Sequence, residues 1–373
     1  IGFTMASYSF QDPGSIYNAS ALAFLGDIDR NMLTFSVENN YDRSKGGLFA
    51  FYNSGHHEFS DGWISDDVNF GTNIFQALEL WEKGTLTIGT DIKRYGGIGS
   101  SGMNADTLLT VNEVAGYILA EQGVGEWLNL TGGIRLENHS VFGPEWVPQL
   151  GISMKPINGT VVKGLVSKGF RSPTIMEMYL FLPNASLGPE EMWNYEASVS
   201  QRIGAIGLIR LTGFVIDGSN LITFEPNPNP GPPSIRVNSG EFSNKGIELE
   251  SSFMPVEDLG IDINYSYLHT ETPLLFAPSH QLYTGASYRS GKWRIAASLK
   301  SVGGLYTYID AADAANNVTQ SYLLADLKVT FSPIDVMDVF IAGKNLLNQD
   351  YQTVYGYPMP GINFMAGMEF DLH

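Results

Sequence analysis

Apolar and polar residues alternate along most of this chain, most clearly in two segments near its end. In 323–331 every second residue is apolar, and Asp326, Lys328 and Thr330 lie between them. The pattern returns in 364–372, where Glu369 and Asp371 fall between apolar residues. A period of two is typical of a β-strand with one apolar and one polar face. The sequence therefore predicts an all-β fold whose strands separate two environments.

The same alternation predicts about 18 strands over the whole chain, and the connections between them alternate in length. Short connections such as 43–46 and 82–84 are each followed by a longer one, such as 57–67, 139–145 or 170–190. Bacterial membrane barrels have short turns on the periplasmic side and longer external loops. We therefore expect a transmembrane antiparallel β-barrel, with a soluble all-β protein as the alternative.

Composition supports the membrane interpretation. Charged residues make up 16 % of the chain, against about 25 % in soluble domains, and aromatic residues reach 12 %. No apolar run of about 18 residues is present, which excludes a helical span. The net charge of -18 argues against nucleic acid as a partner. The absence of cysteine excludes disulfide and thiol chemistry.

Several motifs, in order, resemble those of TonB-dependent outer-membrane receptors. Residues 167–174, SKGFRSPT, are followed by Glu177 and Tyr179, as in the family's "GFR-P-t--E-Y" signature. The segment 244–250, NKGIELE, is similar to a family strand. Lys344-Asn345-Leu346-Leu347-Asn348 and the later YPMPG at 357–361 resemble its terminal segment. The resemblance covers about residues 110–373.

The resemblance implies that residues 1–373 form the barrel domain, with about 18 strands visible of the family-typical number of about 22. The family's N-terminal plug and first strands have no counterpart here, and no leader precedes Ile1, so we expect a mature chain or a fragment. The closing strand that contains Phe364 would then lack its usual partner.

The function implied by the resemblance is import of a scarce nutrient, either a metal–siderophore chelate or a cobalamin-like ligand. External loops would capture the ligand, and plug movement energised by TonB would import it. The alternative is a passive porin-like channel, which a naturally plugless barrel would form. An enzyme is not expected, because the sequence shows no cluster of a serine, a histidine and a carboxylate at one rim of the barrel.

The implied location is the bacterial outer membrane, as a multi-pass barrel. The implied partners are membrane lipid, the TonB–ExbB–ExbD system through the plug, and a small-molecule ligand, with a surface lipoprotein as a further candidate. No cofactor is expected.

The candidate ligand-binding residues all fall in predicted external loops. Neighbouring histidines point to opposite faces of a strand, so His56 and His57 would share a metal ion only in a loop; the metal remains unassigned. We expect Arg171 and Glu177 chiefly to order their loop, whereas the Met359 thioether is a soft donor. The full set of candidates is His56, His57, Arg171, Glu177, Tyr179, Tyr306, Tyr357 and Met359.

Overall fold

A computed structural model describes residues 1–12, 14–17, 24–100, 108–180, 182–226, 234–310 and 313–370. Within these ranges, 18 strands form one antiparallel sheet, and two short strands form a separate hairpin. The alternating pattern is the local cause, because only a strand places every second side chain on the same face. The predicted all-β fold and strand number are confirmed. No helix among the described residues is long and apolar enough to cross a membrane.

The strands are numbered in chain order, and a π-helical turn (Met176–Leu180) and a 3-10 turn (Ala314–Asn316) interrupt them. Their bounds are β1 Gly2–Asp12, β2 Phe24–Tyr41, β3 Ser44–Phe59, β4 Ile64–Trp81, β5 Gly84–Ser100, β6 Leu109–Val124, β7 Leu128–His139, β8 Gly143–Met154, β9 Thr160–Arg171, β10 Glu190–Ile203, β11 Gly207–Pro226, β12 Ser234–Val256, β13 Leu259–Thr270, β14 His280–Ser290, β15 Trp293–Tyr308, β16 Val318–Ile334, β17 Met337–Lys344, β18 Gln352–Val354, β19 Tyr357–Pro358 and β20 Asn363–Phe370.

Each strand of the sheet pairs with its neighbour in the chain, from β1 to β17, and β20 pairs with β17. Among the described residues, β1 pairs only with β2 and β20 only with β17, so these two strands are the edges of the sheet. The strand that contains Phe364 thus has a free edge, as the sequence predicted.

The strands extend further than the alternation predicts, and the loops are correspondingly shorter. The predicted loop 57–67 is mostly strand, because β3 ends at Phe59 and β4 begins at Ile64. The predicted loop 139–145 shrinks in the same way to 140–142. Beyond the apolar belt both faces of a strand are polar, so the pattern disappears. Pairing continues there because backbone N–H and C=O groups still need partners.

One face of the sheet is apolar and exposed. Leu150 and Ile341 on this face are 65 % and 63 % exposed, and similar side chains follow on neighbouring strands. Soluble monomers rarely expose apolar patches larger than a few hundred Å². An apolar belt that continues from strand to strand therefore fits a surface that meets lipid.

The opposite face is polar and holds charges of both signs in ion pairs. Arg135 contacts Asp91 and lies 2.7 Å from Glu137 (Nη2–Oε2), and Arg210 lies 3.0 Å from Glu250 (Nη1–Oε2). Pairing lets carboxylates and guanidinium groups face a common interior space without unbalanced charge.

Candidate functional site

The β9–β10 connection lies at the end of the sheet with the longer connections, here called the outer end. Arg171 donates to Glu177 through Nη1–Oε2 (3.0 Å) and Nη2–Oε1 (3.2 Å), and it also contacts Glu190. The Thr174 backbone N–H donates to Glu177 Oε2 (2.8 Å), and the Glu177 N–H donates to Thr174 Oγ1 (3.1 Å). This reciprocal pair is a capping box on the π-helical turn. The spacing T-x-x-E is visible in the sequence.

These contacts keep the connecting loop charged and ordered. Partial burial alone would raise the pKa of Glu177, but the hydrogen bonds from Arg171 and Thr174 outweigh it, and the net shift is downward. Hydrogen bonding to Glu190 and then to Glu177 raises the pKa of Arg171. The hydrogen bond from Arg171 lowers the pKa of Glu190, so Arg171, Glu177 and Glu190 are all ionised at neutral pH. These groups order the loop, which is the role predicted for Arg171 and Glu177 from the sequence.

Two asparagines dock the described part of this loop, 172–180 and 182–189, onto the outer end of β12. Asn238 accepts from the Gly188 N–H (2.8 Å) and donates to the Gly188 carbonyl (3.0 Å). Asn184 donates to the Arg236 carbonyl (2.7 Å). Leu187 is only 2 % exposed, and Tyr179 is half-buried. Neither asparagine could be predicted from the sequence, because their partners are backbone groups about 50 residues away.

His56 and His57 lie in β3 rather than in a loop, so the loop placement was wrong. His56 Nδ1 is 2.8 Å from Asp66 Oδ1, whereas His57 Nε2 accepts from Arg30 Nη2 (3.1 Å). Arg30 also donates to Asp67 (3.0 Å). The two imidazoles thus point to opposite faces and cannot hold one ion. Within the described ranges, no group of three or more histidine or carboxylate side chains could hold a metal ion.

His57 begins a series of aromatic rings at the outer end of the polar face. Its ring lies 6.1 Å from that of Phe59. Phe59 lies 5.3 Å from Phe24 and 6.2 Å from Phe10. Phe24 is opposite Asp12 in the β1–β2 pairing. The rings therefore form a continuous series from β3 to the outer end of the edge strand β1.

A second aromatic group is linked to the first through Asp12. The β18–β19 hairpin places Tyr355 in a stack with Tyr17 (4.6 Å between ring centroids) and 5.3 Å from Tyr308 of β15. The Tyr357 hydroxyl donates to Asp12 (3.2 Å). We call the whole series the aromatic arc; its members are His57, Phe59, Phe24, Phe10, Tyr17, Tyr355, Tyr357 and Tyr308.

The segment 14–17 docks on 352–357, and we call this contact the outer clasp. Besides the tyrosine stack, the Ile16 N–H donates to the Gly356 carbonyl (2.9 Å), and Gln352 donates to the Tyr17 hydroxyl (3.4 Å). The clasp joins the two edges of the sheet at the outer end. The clasp could not be predicted from the sequence, because its two segments are more than 300 residues apart in the chain.

The remaining candidates lie beside the arc. The Tyr306 carbonyl accepts from the Phe276 N–H (3.1 Å), next to Tyr308. Met359 follows the hairpin, is 38 % exposed, and its sulfur accepts from Thr353 Oγ1 (3.8 Å). The structure thus places His57, Tyr306, Tyr357 and Met359 on or beside one surface. His56 faces away from it, and the loop with Arg171, Glu177 and Tyr179 forms a second group.

Comparisons with known proteins agree with this architecture. Residues 2–346 match the family model described as TonB dependent receptor-like, beta-barrel. An iron-regulated outer membrane virulence protein of Vibrio cholerae serotype O1 is 27 % identical over 305 residues, which are 72 % of this chain and 46 % of that protein. The chain thus spans about half the length of this curated relative.

Solved structures share the fold at low sequence identity. The siderophore receptor PirA from Acinetobacter baumannii is 17 % identical with a TM-score of 0.77, over 92 % of this chain and 62 % of that one. A mutant of the ferric enterobactin receptor PfeA from Pseudomonas aeruginosa, in complex with enterobactin, is 13 % identical with a TM-score of 0.79 and the same coverage. The copper transporter OprC is 14 % identical with a TM-score of 0.77, over 93 % and 65 %.

The family model matches most of the chain, and the exposed apolar belt, the polar inner face and the order of the strands agree with it. The family is one of receptors. The chain therefore belongs to the TonB-dependent receptor-like β-barrels, and it is a multi-pass barrel of the bacterial outer membrane.

Proposed function

We propose that this barrel captures a small metal chelate of the siderophore type at its outer end, as part of a receptor that imports it. The proposal rests on the aromatic arc, which connects the two edges of the sheet. Its members on β1 to β3 (Phe10, Phe24, His57 and Phe59) lie on the polar face. The similar proteins include siderophore receptors and an iron-regulated protein, which supports the same ligand class. A cobalamin-like ligand is the alternative within this function.

The chemistry of the arc suits a ligand with flat, partly polar surfaces. Aromatic rings supply large contact areas, and tyrosine hydroxyls add a polar contact at the edge of each ring. Small-ligand sites typically combine such apolar walls with a few polar groups that fix orientation. Tyr306, Tyr357, His57 and Met359 are the candidates on or beside this surface.

The ordered β9–β10 loop would form a second, rigid contact. Arg171 and Glu177 are already paired, and Asn238 fixes the base of the loop. A preorganised loop loses little conformational entropy when a ligand binds. Tyr179 is the side chain of this loop that we propose for contact.

Import would be energised by the TonB–ExbB–ExbD system through a plug, as the family resemblance implies. No residue of this chain is assigned to that interaction. The further candidate partner, a surface lipoprotein, would approach the outer connections.

Binding to the purified barrel tests the proposal. Ferric enterobactin and cyanocobalamin are the probes, and quenching of intrinsic fluorescence is the readout. Tyr355→Ala removes the ring that stacks on Tyr17, and we expect binding of ferric enterobactin to weaken about tenfold. Tyr288→Ala is the matched control, because Tyr288 lies near the end of β14 that is farthest from the outer end of the sheet. Equal affinity of both variants and the parent chain would contradict the assignment of the arc.

Conductance distinguishes capture from passive flow. A receptor with its lumen occupied gives no large steady current in a planar bilayer. A wide, permanently open pore formed by the full-length gene product would instead support the porin-like alternative.

A further inference from the structure

Three basic residues lie side by side at the outer edge of the apolar face, on β12, β13 and β14. Lys245 of β12 is opposite His269 of β13, and Tyr267 of β13 is opposite His280 of β14. All three basic side chains are exposed. We call Lys245, His269 and His280 the basic rim.

The basic rim directly borders the lipid-facing belt. On β12 the next residue of the same face is Ile247, and on β14 it is Leu282. The apolar residues end here, so the rim lies where the hydrocarbon core of a membrane gives way to headgroups. Long basic side chains and tyrosines favour this level, because their apolar parts remain in lipid while their polar ends reach water.

The rim retains free hydrogen-bond donors. The Tyr265 hydroxyl lies 2.8 Å from His280 Nδ1, so a Nε2–H tautomer of this histidine keeps its other nitrogen available as a donor. Lys245 and His269 make no ion pair among the residues that the structure describes. The acids nearby in register are Asp217, which accepts from Ser243 (2.7 Å), and the exposed Glu271.

An apolar groove approaches the rim from the neighbouring strands. Its volume is about 510 Å³, and its walls include Leu150, Ile152, Val166 and Tyr195. It ends at Val215 of β11, which is also in its wall and is the cross-strand partner of Lys245. A basic headgroup contact and a groove for hydrocarbon thus adjoin on one face.

On strands β2 to β4 the outer edge of this same apolar face is acidic. There Asp29 of β2 is opposite His56 of β3, and His56 is opposite Asp66 of β4. His56 Nδ1 pairs with Asp66 (2.8 Å), so this N–H is already used. The outer edge of β2 to β4 is therefore not expected to bind an anionic headgroup, in contrast to the basic rim.

We propose that the basic rim binds the phosphate of an anionic lipid headgroup in the outer leaflet, with an acyl chain of that lipid in the adjoining groove. Lysine and imidazole N–H groups donate strong hydrogen bonds to phosphate oxygens. Attraction to an anionic lipid surface adds to these contacts for each basic residue near it. The site is separate from the aromatic arc, which is on the opposite face, and it does not depend on the identity of the imported ligand.

Lipid retention measured by native mass spectrometry tests the headgroup contact. The full chain is reconstituted in mixed phosphatidylglycerol and phosphatidylcholine vesicles and then transferred to detergent. We expect it to retain phosphatidylglycerol in preference to phosphatidylcholine. Lys245→Gln combined with His269→Gln should lower this preference roughly fivefold, whereas Lys245→Arg should preserve it.

Lys163→Gln is the matched control for charge. It removes one lysine from the polar face, where Lys163 is opposite Ser198 of β10, so lipid retention should not change. Resistance of the folded barrel to unfolding in dodecyl sulfate shows that each variant is folded. No preference for the anionic lipid in the parent chain, or the same preference in the double variant, would overturn the proposal.

Two glycines test the groove in the same assay. Gly213 in the groove and Gly116 on β6 both face open space, so an added side chain meets no neighbour. Gly213→Leu should fill the groove and reduce retention of both lipids. Gly116→Leu adds the same bulk elsewhere on the apolar face and should have no effect. Equal retention by these two variants would remove the acyl chain from the proposal.

Discussion

At the scale of single residues, the outer connections depend on buried polar side chains as well as on packed hydrophobic ones. Asn345 is 4 % exposed. Its side chain donates to the Gln349 and Pro360 carbonyls (2.9 and 3.1 Å) and accepts from the Gln349 N–H (2.9 Å). One amide thus satisfies several backbone groups of the β17–β20 connection.

Asn345→Ala should destabilise this connection by about 1–3 kcal/mol, because it leaves buried backbone groups without partners. Asn348→Ala is the control. Asn348 has nearly the same positive φ (50° against 49°) but is exposed, and its side chain accepts from one backbone group, the Ile362 N–H (2.9 Å), so its removal should have the smaller effect. Hydrogen exchange of residues 345–362 measures the effect. Equal protection in the two variants would contradict the role of the buried bonds.

The Glu177 carboxylate gives the β9–β10 loop a pH dependence. Its pKa is lowered in the folded chain, so its contribution is fully present above the ordinary value of 4.5 and is lost as pH falls below it. Glu177→Gln should weaken the loop by on the order of 1 kcal/mol at neutral pH and reduce its acid sensitivity.

Hydrogen exchange of residues 172–189 at several pH values tests this. Glu241→Gln, at an exposed carboxylate of β12, should leave the profile unchanged. The expectation is wrong if the parent loop keeps full protection well below pH 4.5, or if both variants behave alike.

At the scale of elements, the outer clasp joins strands at opposite edges of the sheet. Gly356 has a φ of 84°, and a Cβ there would meet the Ser15 side chain. Glycine is therefore required both for the turn and for the close approach of 14–17. The clasp holds Tyr17 against Tyr355 and so completes the aromatic arc.

Gly356→Ala should release the clasp. Gly62→Ala is the control that separates the strain of a positive φ from the steric clash with Ser15. Gly62 has a φ of 87° but no neighbour within 4 Å. Both variants carry backbone strain of about 1–2 kcal/mol, whereas only Gly356→Ala adds a clash. Exchange of the Ile16 amide, which donates to Gly356, should accelerate in Gly356→Ala alone. Unchanged exchange would show that the clasp tolerates the extra methyl group.

At the scale of the whole molecule, the two faces of the sheet meet different media. On β15, Leu299 lies on the apolar face and is 47 % exposed. Its neighbour Ser298 lies on the polar face opposite Asp326. We therefore expect a charged side chain to be tolerated at position 298 but not at position 299.

Leu299→Arg should destabilise the folded barrel in a bilayer by about 2–4 kcal/mol, the cost of a lipid-facing arginine near the membrane centre. Ser298→Arg should be tolerated, because Asp326 is available as an ion-pair partner. Reversible unfolding in lipid vesicles measures both. A similar loss in the two variants would contradict the assignment of the faces.

Much of the fold could be predicted from the sequence because strand periodicity is local. The number of strands in the sheet, the free edge of the last strand and the receptor family were all predicted correctly. Loop lengths were overestimated, as at 57–67, because strand pairing continues where both faces are polar. His56 and His57 were placed in a loop for the same reason.

The candidate site could be predicted only in part. The T-x-x-E capping box and the Arg171–Glu177 pair follow from spacing within a few residues. The sequence by itself determined the period-two strands, their order and their two faces, because each depends on neighbours along the chain. Only the tertiary structure decided that Asp12 meets Tyr357 and that Tyr17 stacks on Tyr355. These partners are more than 300 positions apart, and they meet only because the intervening strands bring the two edges of the sheet together.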